Sequence, residues 1–406
     1  MPGRAGECLV SDTTPREIVL TQDFFPRFGG AHSWLYETFK RWPGPVRMLT
    51  QDYSASPADR AAQTEFDAAI HGSLDIIRRD IAITDLNLVR VASWRRILQV
   101  CREIQRLRKG EQATLYCLRA FPEGFCGALI RLLHKRTTRL VVFAHGEEIL
   151  VARSSRQLLI MAKLAYGQAS LVIANSQNTV ALVKTLCPEA HVVCVHPGVN
   201  VAEFLVNPTQ SSALRSSWGW PADTVIVSTI ARMEPRKNQA AVLRSVAALR
   251  SEGLPVAYVC AGDGEERGRL EQLAAELGIS QWVRFPGALS NTDKILTYAA
   301  SDLYAMPSIQ VGEMIEGFGI VFLEAAAAGI PAICGNVGGQ SEAVIDGETG
   351  LVVDGAQGGA VTAAVRRLAV DPALRARMGS AARRRVVNFD WAPLGKQVAA
   401  AIRELS

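Results

Sequence analysis

Short apolar runs alternate with amphipathic segments along the whole chain. This pattern is typical of strand–helix repeats around parallel sheets. In the first half the predicted strands are residues 18–21, 46–49, 113–118, 140–143, 171–175 and 191–195. In the second half they are residues 224–229, 256–260, 283–285, 303–306, 331–334 and 351–353. Helices are predicted between them, including residues 238–250, 267–277 and 341–345.

The alternation is interrupted at residues 196–212, where Pro, Gly, Asn and Ser collect in HPGVNVAEFLVNPTQSS. A break of this kind indicates a linker. The sequence therefore predicts an α/β fold of two doubly wound, Rossmann-like domains, over residues 1–198 and 199–388, with a C-terminal helix over 389–406 that packs back toward the first domain. Ligands in such sheets bind outside the carboxyl ends of the strands, so the cleft between the two sheets is the predicted site.

Composition narrows the class of protein. A length of 406 residues, nearly half of them apolar, fits two globular domains. The chain has no run of about 18 uncharged apolar residues and no secretion-signal pattern, so we expect a cytoplasmic protein. The eight cysteines are scattered, and no ligand cluster has metal-binding spacing. We therefore expect reduced thiols, no metal and no cofactor.

The stretch EGFGIVFLEA, residues 316–325, places two carboxylates around a predicted helix start. Glu316 precedes the turn formed by Gly317, Phe318 and Gly319, and a helix is predicted from Ile320 to Ala328. A helix N-terminus beside glycines is a natural seat for phosphate. Glu324 lies within the apolar helix, where an acid is costly unless a partner satisfies it. Both acids are therefore predicted to accept hydrogen bonds from hydroxyl groups beside a bound diphosphate.

Two cations are predicted at the end of the first strand of the second domain, in STIARMEPRKNQ (residues 228–239). Arg232 follows the strand, and Lys237 precedes the next helix, whose predicted N-cap is Asn238. Such cations can neutralise a diphosphate leaving group. The alternative is a solvated loop in which Arg232 pairs with Glu234.

Further candidates follow other predicted strands. Gly29 and Gly30, after the first strand, allow a backbone to approach a ligand closely. His145 ends a strand and can hydrogen-bond a hydroxyl group. Gly262 and Gly264 form a turn whose backbone can lie against a nucleotide. Each of these signals is weak alone, because an ordinary turn or a solvated histidine explains it equally well.

Taken together, these residues resemble the retaining glycosyltransferases of the GT-B fold, in family 4 (group 1), which includes bacterial mannosyl- and glucosyltransferases. Glu316 and Glu324 match the family's Glu-x7-Glu signature, and Arg232 and Lys237 match its basic pair. Residues 169–179 and 196–204 also match the family pattern. The resemblance covers nearly the whole chain.

The resemblance implies a role for each matched residue. Arg232 and Lys237 would stabilise the departing diphosphate, Glu316 would bind the donor sugar, and Glu324 would bind the ribose. His145 and the Gly29–Gly30 loop would approach the sugar from the first domain. The implied reaction is hexose transfer with retention of configuration, without a metal, in cell-surface polysaccharide or glycolipid synthesis.

The identity of donor and acceptor is less constrained. The stretch 307–325 looks most like mannosyltransferases that use GDP-mannose on lipid acceptors, whereas UDP-sugar enzymes share most of it. Lys and Arg outnumber Asp and Glu by 25 to 18 in residues 1–200, and basic residues crowd the segments 94–109 and 130–139. This charge fits either an anionic membrane surface, with peripheral binding at the inner face of the plasma membrane, or a solvated helix face. Nucleic acid is not indicated.

Three alternatives remain open at this point. One is a glucosyl- or N-acetylglucosaminyltransferase that uses a UDP-sugar. Another is a nucleotide-sugar epimerase or hydrolase on the same scaffold, which would convert the donor without an acceptor. The third is a non-enzymatic scaffold protein that binds nucleotide-sugars.

Overall fold

The computed structural model describes residues 16–25, 29–70 and 74–404, which form two parallel sheets flanked by helices. The strands are β1 (Arg16–Leu20), β2 (Val46–Gln51), β3 (Leu74–Arg79), β4 (Ala113–Cys117), β5 (Thr138–Ala144), β6 (Leu171–Ala174), β7 (Val192–Cys194), β8 (Val225–Ile230), β9 (Val256–Ala261), β10 (Val283–Gly287), β11 (Leu303–Met306), β12 (Ala332–Gly335) and β13 (Gly350–Val353).

The helices are α1 (Gly30–Phe39), α2 (Pro57–Ala69), α3 (Val91–Arg108), α4 (Phe125–Leu133), α5 (Glu147–Arg153), α6 (Arg156–Gln168), α7 (Gln177–Leu186), α8 (Pro208–Ser217), α9 (Gln239–Ser251), α10 (Arg267–Glu276), α11 (Asn291–Ala300), α12 (Ile320–Ala328), α13 (Gln340–Ala343), α14 (Gly358–Val370), α15 (Pro372–Val386) and α16 (Trp391–Arg403). Short 3-10 turns include Val201–Phe204 and Pro235–Lys237.

Strand order confirms the predicted pair of doubly wound sheets. Within the described residues, the first sheet has the order β3-β2-β1-β4-β5-β6-β7 and the second has the order β10-β9-β8-β11-β12-β13. All neighbours are parallel, with Ile18 opposite Leu115 between β1 and β4, and Leu303 opposite Val227 between β11 and β8. Each sheet therefore reverses its strand order at one switch point, β1/β4 in the first and β8/β11 in the second.

The central strands form because their apolar side chains are covered on both faces. Every residue of β4, β8 and β9 is buried, as expected for parallel strands between helical layers. Full burial of one Val, Leu or Ile side chain contributes about 1.5–3 kcal/mol. These rigid strands position the loops that follow their carboxyl ends.

The edge of the first sheet differs from the sequence prediction. Strand β3 reads LDIIRR and was not predicted, because an edge strand carries charges that obscure its apolar positions. One of these charges is paired, since Arg78 donates to Asp67 of α2 at 2.7 Å through each of two nitrogens.

The predicted cap of α9 also differs in its contacts. Asn238 directly precedes α9 in a left-handed conformation (φ 58°), and its side chain makes no cap hydrogen bond. Its amide instead donates to the carbonyl oxygens of Pro307 at 3.1 Å and Gly355 at 2.8 Å. The residue therefore ties the loop before α9 to two neighbouring strand-end loops.

The end of the described chain packs on the first domain. Helix α16 shares a buried apolar cluster with α1 and the first sheet. Its contributing side chains are Trp391, Leu394, Val398 and Ile402, packed with Trp34, Leu35 and Phe39. Before α16, Asp390 forms a parallel bridge with Val199 in the linker. The chain therefore crosses between the domains near residue 199 and again near residue 390.

Candidate functional site

A cleft of about 800 Å³ lies between the two sheets, at the carboxyl ends of their strands. It is lined by loops from both switch points, as expected for doubly wound sheets. The predicted site residues that line it are Gly29, Gly30, His145, Arg232, Lys237, Glu316, Gly317, Phe318, Gly319 and Ile320. Residues separated by up to about 290 positions in the chain thus meet at one surface.

A compact group of charges lies on the second-domain side of the cleft. Lys237 bonds directly to a carboxylate oxygen of Glu316, and Arg236 donates to the same oxygen at 2.9 Å. Arg236 also pairs with Glu234 at 3.0 Å. The side chains of Arg236, Lys237 and Glu316 are only 7, 10 and 12% exposed. The group therefore joins the loops after β8 and β11.

Burial and the neighbouring charges shift the pKa values of Glu316 and Lys237 in opposite directions. Burial by itself would raise the pKa of Glu316, but the charges of Lys237 and Arg236 outweigh it and hold that pKa below its usual value. Burial lowers the pKa of Lys237, and the Glu316 carboxylate opposes this shift. Glu316 is therefore a carboxylate at neutral pH.

Arg232 has a different environment from Lys237. Its side chain is 73% exposed and pairs with Glu234 at 2.7 Å. An exposed pair of this kind contributes at most about 1 kcal/mol to folding. The guanidinium can therefore leave Glu234 for an anionic ligand in the cleft at little cost.

The loop from Glu316 to Gly319 is packed tightly between the two domains. A Cβ on Gly317 would collide with the carbonyl oxygen of His145 and lie 2.7 Å from Nδ2 of Asn175. Only glycine permits this approach of backbone to backbone. The loop leads into α12, whose N-terminus has no side-chain cap. Its first N–H groups are consequently available to an anion in the cleft.

His145 is neutral at physiological pH. Burial, with a smaller effect of Arg119, lowers its pKa to about 4. Its Nε2 lies 2.7 Å from the carbonyl oxygen of Leu118. Because a carbonyl oxygen only accepts, the neutral ring carries its proton on Nε2, and Nδ1 remains an acceptor. His145 is therefore suited to accept a hydrogen bond from a hydroxyl group.

Glu324 lies one turn into α12, beyond the described residues that line the cleft. Its carboxylate accepts from Nζ of Lys294 at 2.5 Å and from the hydroxyl of Tyr298 at 2.9 Å. The partner required by an acid in an apolar helix therefore comes from α11. The Glu324 side chain is 12% exposed.

Gly262 and Gly264 also lie outside the cleft lining. A Cβ on Gly262 would collide with the carbonyl oxygen of Ala231, and a Cβ on Gly264 would collide with that of Met233. These glycines therefore support the loop after β8, which carries Arg232.

Several cleft residues were missed from the sequence. Arg236 lies beside Lys237 in the same motif, but neither charge nor spacing distinguished it from an exposed arginine. On the first-domain side, Arg119 follows β4, and His32 lies in the first turn of α1. Burial lowers the pKa of His32 to about 4, and neither of its ring nitrogens has a partner within the described residues. The Gly29–Gly30 pair was the available signal for His32.

The basic surface of the first domain is smaller than predicted. Arg108 is buried and donates to Gln105 at 2.8 Å and to Thr137 at 3.0 Å, so it is absent from the exposed face. Arg96 is paired with Asp80 at 2.8 Å. Seven exposed residues of α3, of the end of α4 and of the turn after it form what we call the α3–α4 surface. It comprises Arg95, Leu98, Arg102, Leu132, Leu133, Lys135 and Arg136. Arg106 of α3 is also exposed, but it pairs with Glu103.

Two family models match the chain, one on each domain. Residues 29–203 match "Glycosyltransferase Family 4", and residues 210–385 match "Glycosyl transferases group 1". A Mycolicibacterium smegmatis protein named GDP-mannose-dependent alpha-(1-6)-phosphatidylinositol monomannoside mannosyltransferase is 29% identical over 394 residues, covering 94% of this chain and 97% of that protein. A Streptomyces avermitilis D-inositol 3-phosphate glycosyltransferase is 37% identical over 209 residues, which cover 49% of this chain and 44% of that protein.

Solved structures share the same architecture. Anabaena HepE, in complex with UDP and glucose, superposes with a TM-score of 0.77 at 23% identity and covers 96% of this chain and 100% of its own. WaaG, a glycosyltransferase involved in lipopolysaccharide biosynthesis, gives a TM-score of 0.67 at 18% identity over 95% of this chain and 99% of its own. At these identities the likeness establishes the fold, which is GT-B. In the described part of the chain, no helix has the length and apolarity needed to cross a membrane.

Proposed function

This chain belongs to the family 4 (group 1) glycosyltransferases, and on that premise we propose that it transfers mannose from GDP-mannose to a lipid-linked acceptor, with retention of anomeric configuration. The choice of donor and acceptor rests on relatives named GDP-mannose-dependent mannosyltransferases, which match nearly the full length of both chains.

The observation that carries the proposal is the convergence of Arg232, Arg236 and Lys237 with the uncapped N-terminus of α12 at one side of the cleft. This arrangement suits a nucleoside diphosphate, whose negative charge grows as the sugar leaves. Lys237 and Arg236 would turn from Glu316 toward the diphosphate, and Arg232 would leave Glu234. Because these cations neutralise the leaving group, the proposed reaction needs no metal.

Glu316 would then accept hydrogen bonds from hydroxyls of the donor sugar, and Glu324 would do the same for the ribose. The Gly317–Phe318–Gly319 turn and Ile320 line the cleft and would bring the start of α12 against the diphosphate. Gly29 and Gly30 line the first-domain wall of the cleft, and Gly262 and Gly264 pack against the loop that carries Arg232. His145 would accept from a sugar hydroxyl through Nδ1.

In the proposed transfer step, the acceptor oxygen bonds to the anomeric carbon on the face from which the diphosphate departs. The bond between that carbon and the diphosphate oxygen breaks, and its electron pair leaves with the diphosphate. The acceptor's hydroxyl proton passes to an oxygen of the departing diphosphate, so no protein base is required. His145 is neutral, and its Nε2 proton is held in the hydrogen bond to the carbonyl oxygen of Leu118. His145 would therefore position the sugar and not act as an acid.

The lipid part of the acceptor requires contact with a membrane surface, which we assign to the α3–α4 surface. On α3, Arg95, Leu98 and Arg102 lie three and four residues apart and are all exposed, which places them on one helix face. Gln105 contacts His134 at 2.6 Å, which brings the end of α4, with Leu133 75% exposed, close to this face. Interleaved basic and apolar side chains suit an anionic lipid surface.

A vesicle-binding experiment tests this surface separately from the donor site. We expect Arg95→Ser, Arg102→Ser, Lys135→Ser and Arg136→Ser together to abolish binding to anionic vesicles at low salt. As a control, Arg269→Ser, Arg367→Ser and Arg384→Ser remove exposed charge from the second domain and should leave binding intact. Equal binding by both variants would mean that the α3–α4 surface does not bind the membrane.

A thermal-shift panel in EDTA, with GDP, UDP, ADP and their sugars, tests the donor. A ligand that binds only the folded state raises its stability, so GDP and GDP-mannose should raise Tm more than the other ligands. Donor consumption is then measured with and without a phosphatidylinositol monomannoside acceptor. Turnover without acceptor would favour an epimerase or hydrolase, preference for UDP-sugars would favour a glucosyl- or N-acetylglucosaminyltransferase, and binding without turnover would favour a scaffold.

A further inference from the structure

Three side chains that are typical metal ligands meet at the junction of the two domains, outside the cleft lining. Cys194 is the last residue of β7, His196 follows in the linker, and Glu342 comes from α13 of the second domain. Sγ of Cys194 lies 3.6 Å from Nε2 of His196, which lies 2.8 Å from Oε2 of Glu342. The three ligand atoms all lie within 4.8 Å of one another.

The separation of Cys194 and His196 fits a tetrahedral transition-metal site, and Glu342 would have to shift to complete it. With a Zn–S bond of about 2.3 Å and a Zn–N bond of about 2.1 Å, tetrahedral angles separate sulfur and nitrogen by about 3.6 Å. This is the separation between Cys194 and His196. The carboxylate oxygen of Glu342 would need to move about 0.5 Å away from the imidazole nitrogen to take a third tetrahedral position. We propose that Cys194, His196 and Glu342 bind one Zn²⁺ ion, whose fourth position is left to water.

The groups around the cluster hold two of the ligands in place. The carboxylate of Glu342 accepts from the backbone N–H groups of Gln177 at 2.8 Å and Asn178 at 3.1 Å, at the start of α7. The ring of His196 packs against those of Phe318 and Phe389, with centroids 5.0 and 5.8 Å away. Outer contacts of this kind orient metal ligands before the ion binds.

The thiol distinguishes a metal site from a simple ion pair. An ion pair between His196 and Glu342 across the domain junction does not need Cys194. A thiolate is a soft ligand, so its presence beside that pair favours Zn²⁺ over Mg²⁺ or Ca²⁺. Burial raises the pKa of the Cys194 thiol to about 12, so an incoming ion must displace its proton.

Binding at this position has a structural consequence. Cys194 lies in the first sheet and Glu342 in the second domain, so the ion would join the two domains. His196 contacts Phe318, which belongs to the loop that lines the cleft. The ion would therefore fix the position of this loop against the first domain. It would take no part in the transfer step.

Cobalt spectroscopy on the full-length, chelator-treated protein tests the site directly. Co²⁺ replaces Zn²⁺ in such sites and reports a thiolate ligand by a charge-transfer band in the near ultraviolet. We expect one Co²⁺ per chain, displaced by Zn²⁺. We expect Cys194→Ser to lose the band and Glu342→Gln to weaken Co²⁺ binding by at least about tenfold, as expected for a lost ligand. The control Cys187→Ser changes another half-buried thiol, outside the cluster, and should keep the band.

The wild-type protein provides a second readout that needs no variant. Zn²⁺ should slow alkylation of Cys194 by iodoacetamide, followed by peptide mass spectrometry, and should leave Cys187 unaffected. Absence of the cobalt band, its survival in Cys194→Ser, or equal alkylation of Cys194 with and without Zn²⁺ would each overturn the proposal. None of these measurements depends on the sugar donor.

Discussion

Lys237 and Glu316 form a direct ion pair, although they lie on loops that follow different strands, β8 and β11. The two strands are neighbours at the switch point of the second sheet, so their loops leave the sheet side by side. Arg236 joins the same carboxylate at 2.9 Å. The acid proposed to bind the donor sugar and the cations proposed to bind the diphosphate are therefore held together before any ligand enters.

We predict that Glu316→Gln and Lys237→Ala each lower kcat/KM by at least about tenfold, or 1.4 kcal/mol of transition-state stabilisation. Glu316→Gln leaves the buried Lys237 without its acidic partner, so its stability should also fall, by about 3–5 kcal/mol if the site does not relax. Lys237→Ala should lose less stability, because Glu316 keeps its pair with Arg236 at 2.9 Å. Steady-state kinetics well below Tm and thermal unfolding measure the two effects separately.

Asp302→Asn is the matched control for lost stability. Asp302 pairs with Arg215 at 2.9 Å and accepts from the backbone N–H of Ile226 at 2.7 Å, outside the cleft lining. We expect this variant to be less stable and to keep near-wild-type kcat/KM. An equal loss of activity in Asp302→Asn would mean that the Glu316 variant fails through stability alone.

Arg232→Ala should separate activity from stability. The Arg232 side chain is 73% exposed, so its loss should change Tm very little. Loss of a charge that contacts the leaving diphosphate should lower kcat/KM by at least about tenfold. Arg269→Ala removes another exposed arginine, paired with Glu266, and serves as the control. Wild-type kinetics in Arg232→Ala would exclude Arg232 from the reaction.

Acid should destabilise the protein in part through His145. Its pKa is about 4 when folded and 6.5 ordinarily, so the unfolded chain binds the proton first. The stability contributed by the neutral ring is fully present above pH 6.5 and falls by at most about 1.4 kcal/mol per pH unit toward pH 4.

Denaturant unfolding between pH 7 and pH 4 measures this effect, and His145→Gln should show a shallower loss than the wild type. Glu148 lies beside His145, and burial raises its pKa, so its contribution has the opposite sign. The backbone N–H of residue 145 supplies the Glu148 hydrogen bond in both proteins, so the difference between them isolates the imidazole. Parallel curves would contradict the buried neutral state.

Glu324→Gln tests whether this acid binds the nucleotide. We expect GDP affinity to fall by at least about fivefold, because a charged acceptor for ribose hydroxyls is lost. Tyr298→Phe removes one hydrogen bond to the Glu324 carboxylate and leaves its charge, so GDP affinity should stay near the wild-type value. Isothermal titration calorimetry measures both. Unchanged GDP affinity in Glu324→Gln would mean that Glu324 does not bind the nucleotide and only links α11 to α12.

The sequence predicted the fold well where apolar segments are bounded by clear end signals. Helix α12 and strand β11 have the predicted bounds, because Gly319 and Gly329 enclose the helix and β11 is wholly buried. Strand β3 was missed because its residues are charged and lie at a sheet edge.

Contacts between distant segments were harder to predict. Arg108 belongs to the basic segment 94–109, for which the sequence suggests a membrane-facing or solvated surface, yet it is buried and donates to Thr137, 29 residues away. Arg236 was passed over because only the folded chain brings it to Glu316. The Cys194, His196 and Glu342 cluster has no sequence spacing to recognise, because the domain junction creates it.

The most direct test of the proposed activity is the initial rate of mannose transfer from GDP-mannose to phosphatidylinositol monomannoside in vesicles. GDP-glucose, UDP-glucose and UDP-N-acetylglucosamine are compared under the same conditions. We expect GDP-mannose to be used at least about tenfold faster than the others, with an α-linked product and little activity in Glu316→Gln. Transfer from a UDP-sugar alone, or an inverted linkage, would contradict the proposed activity.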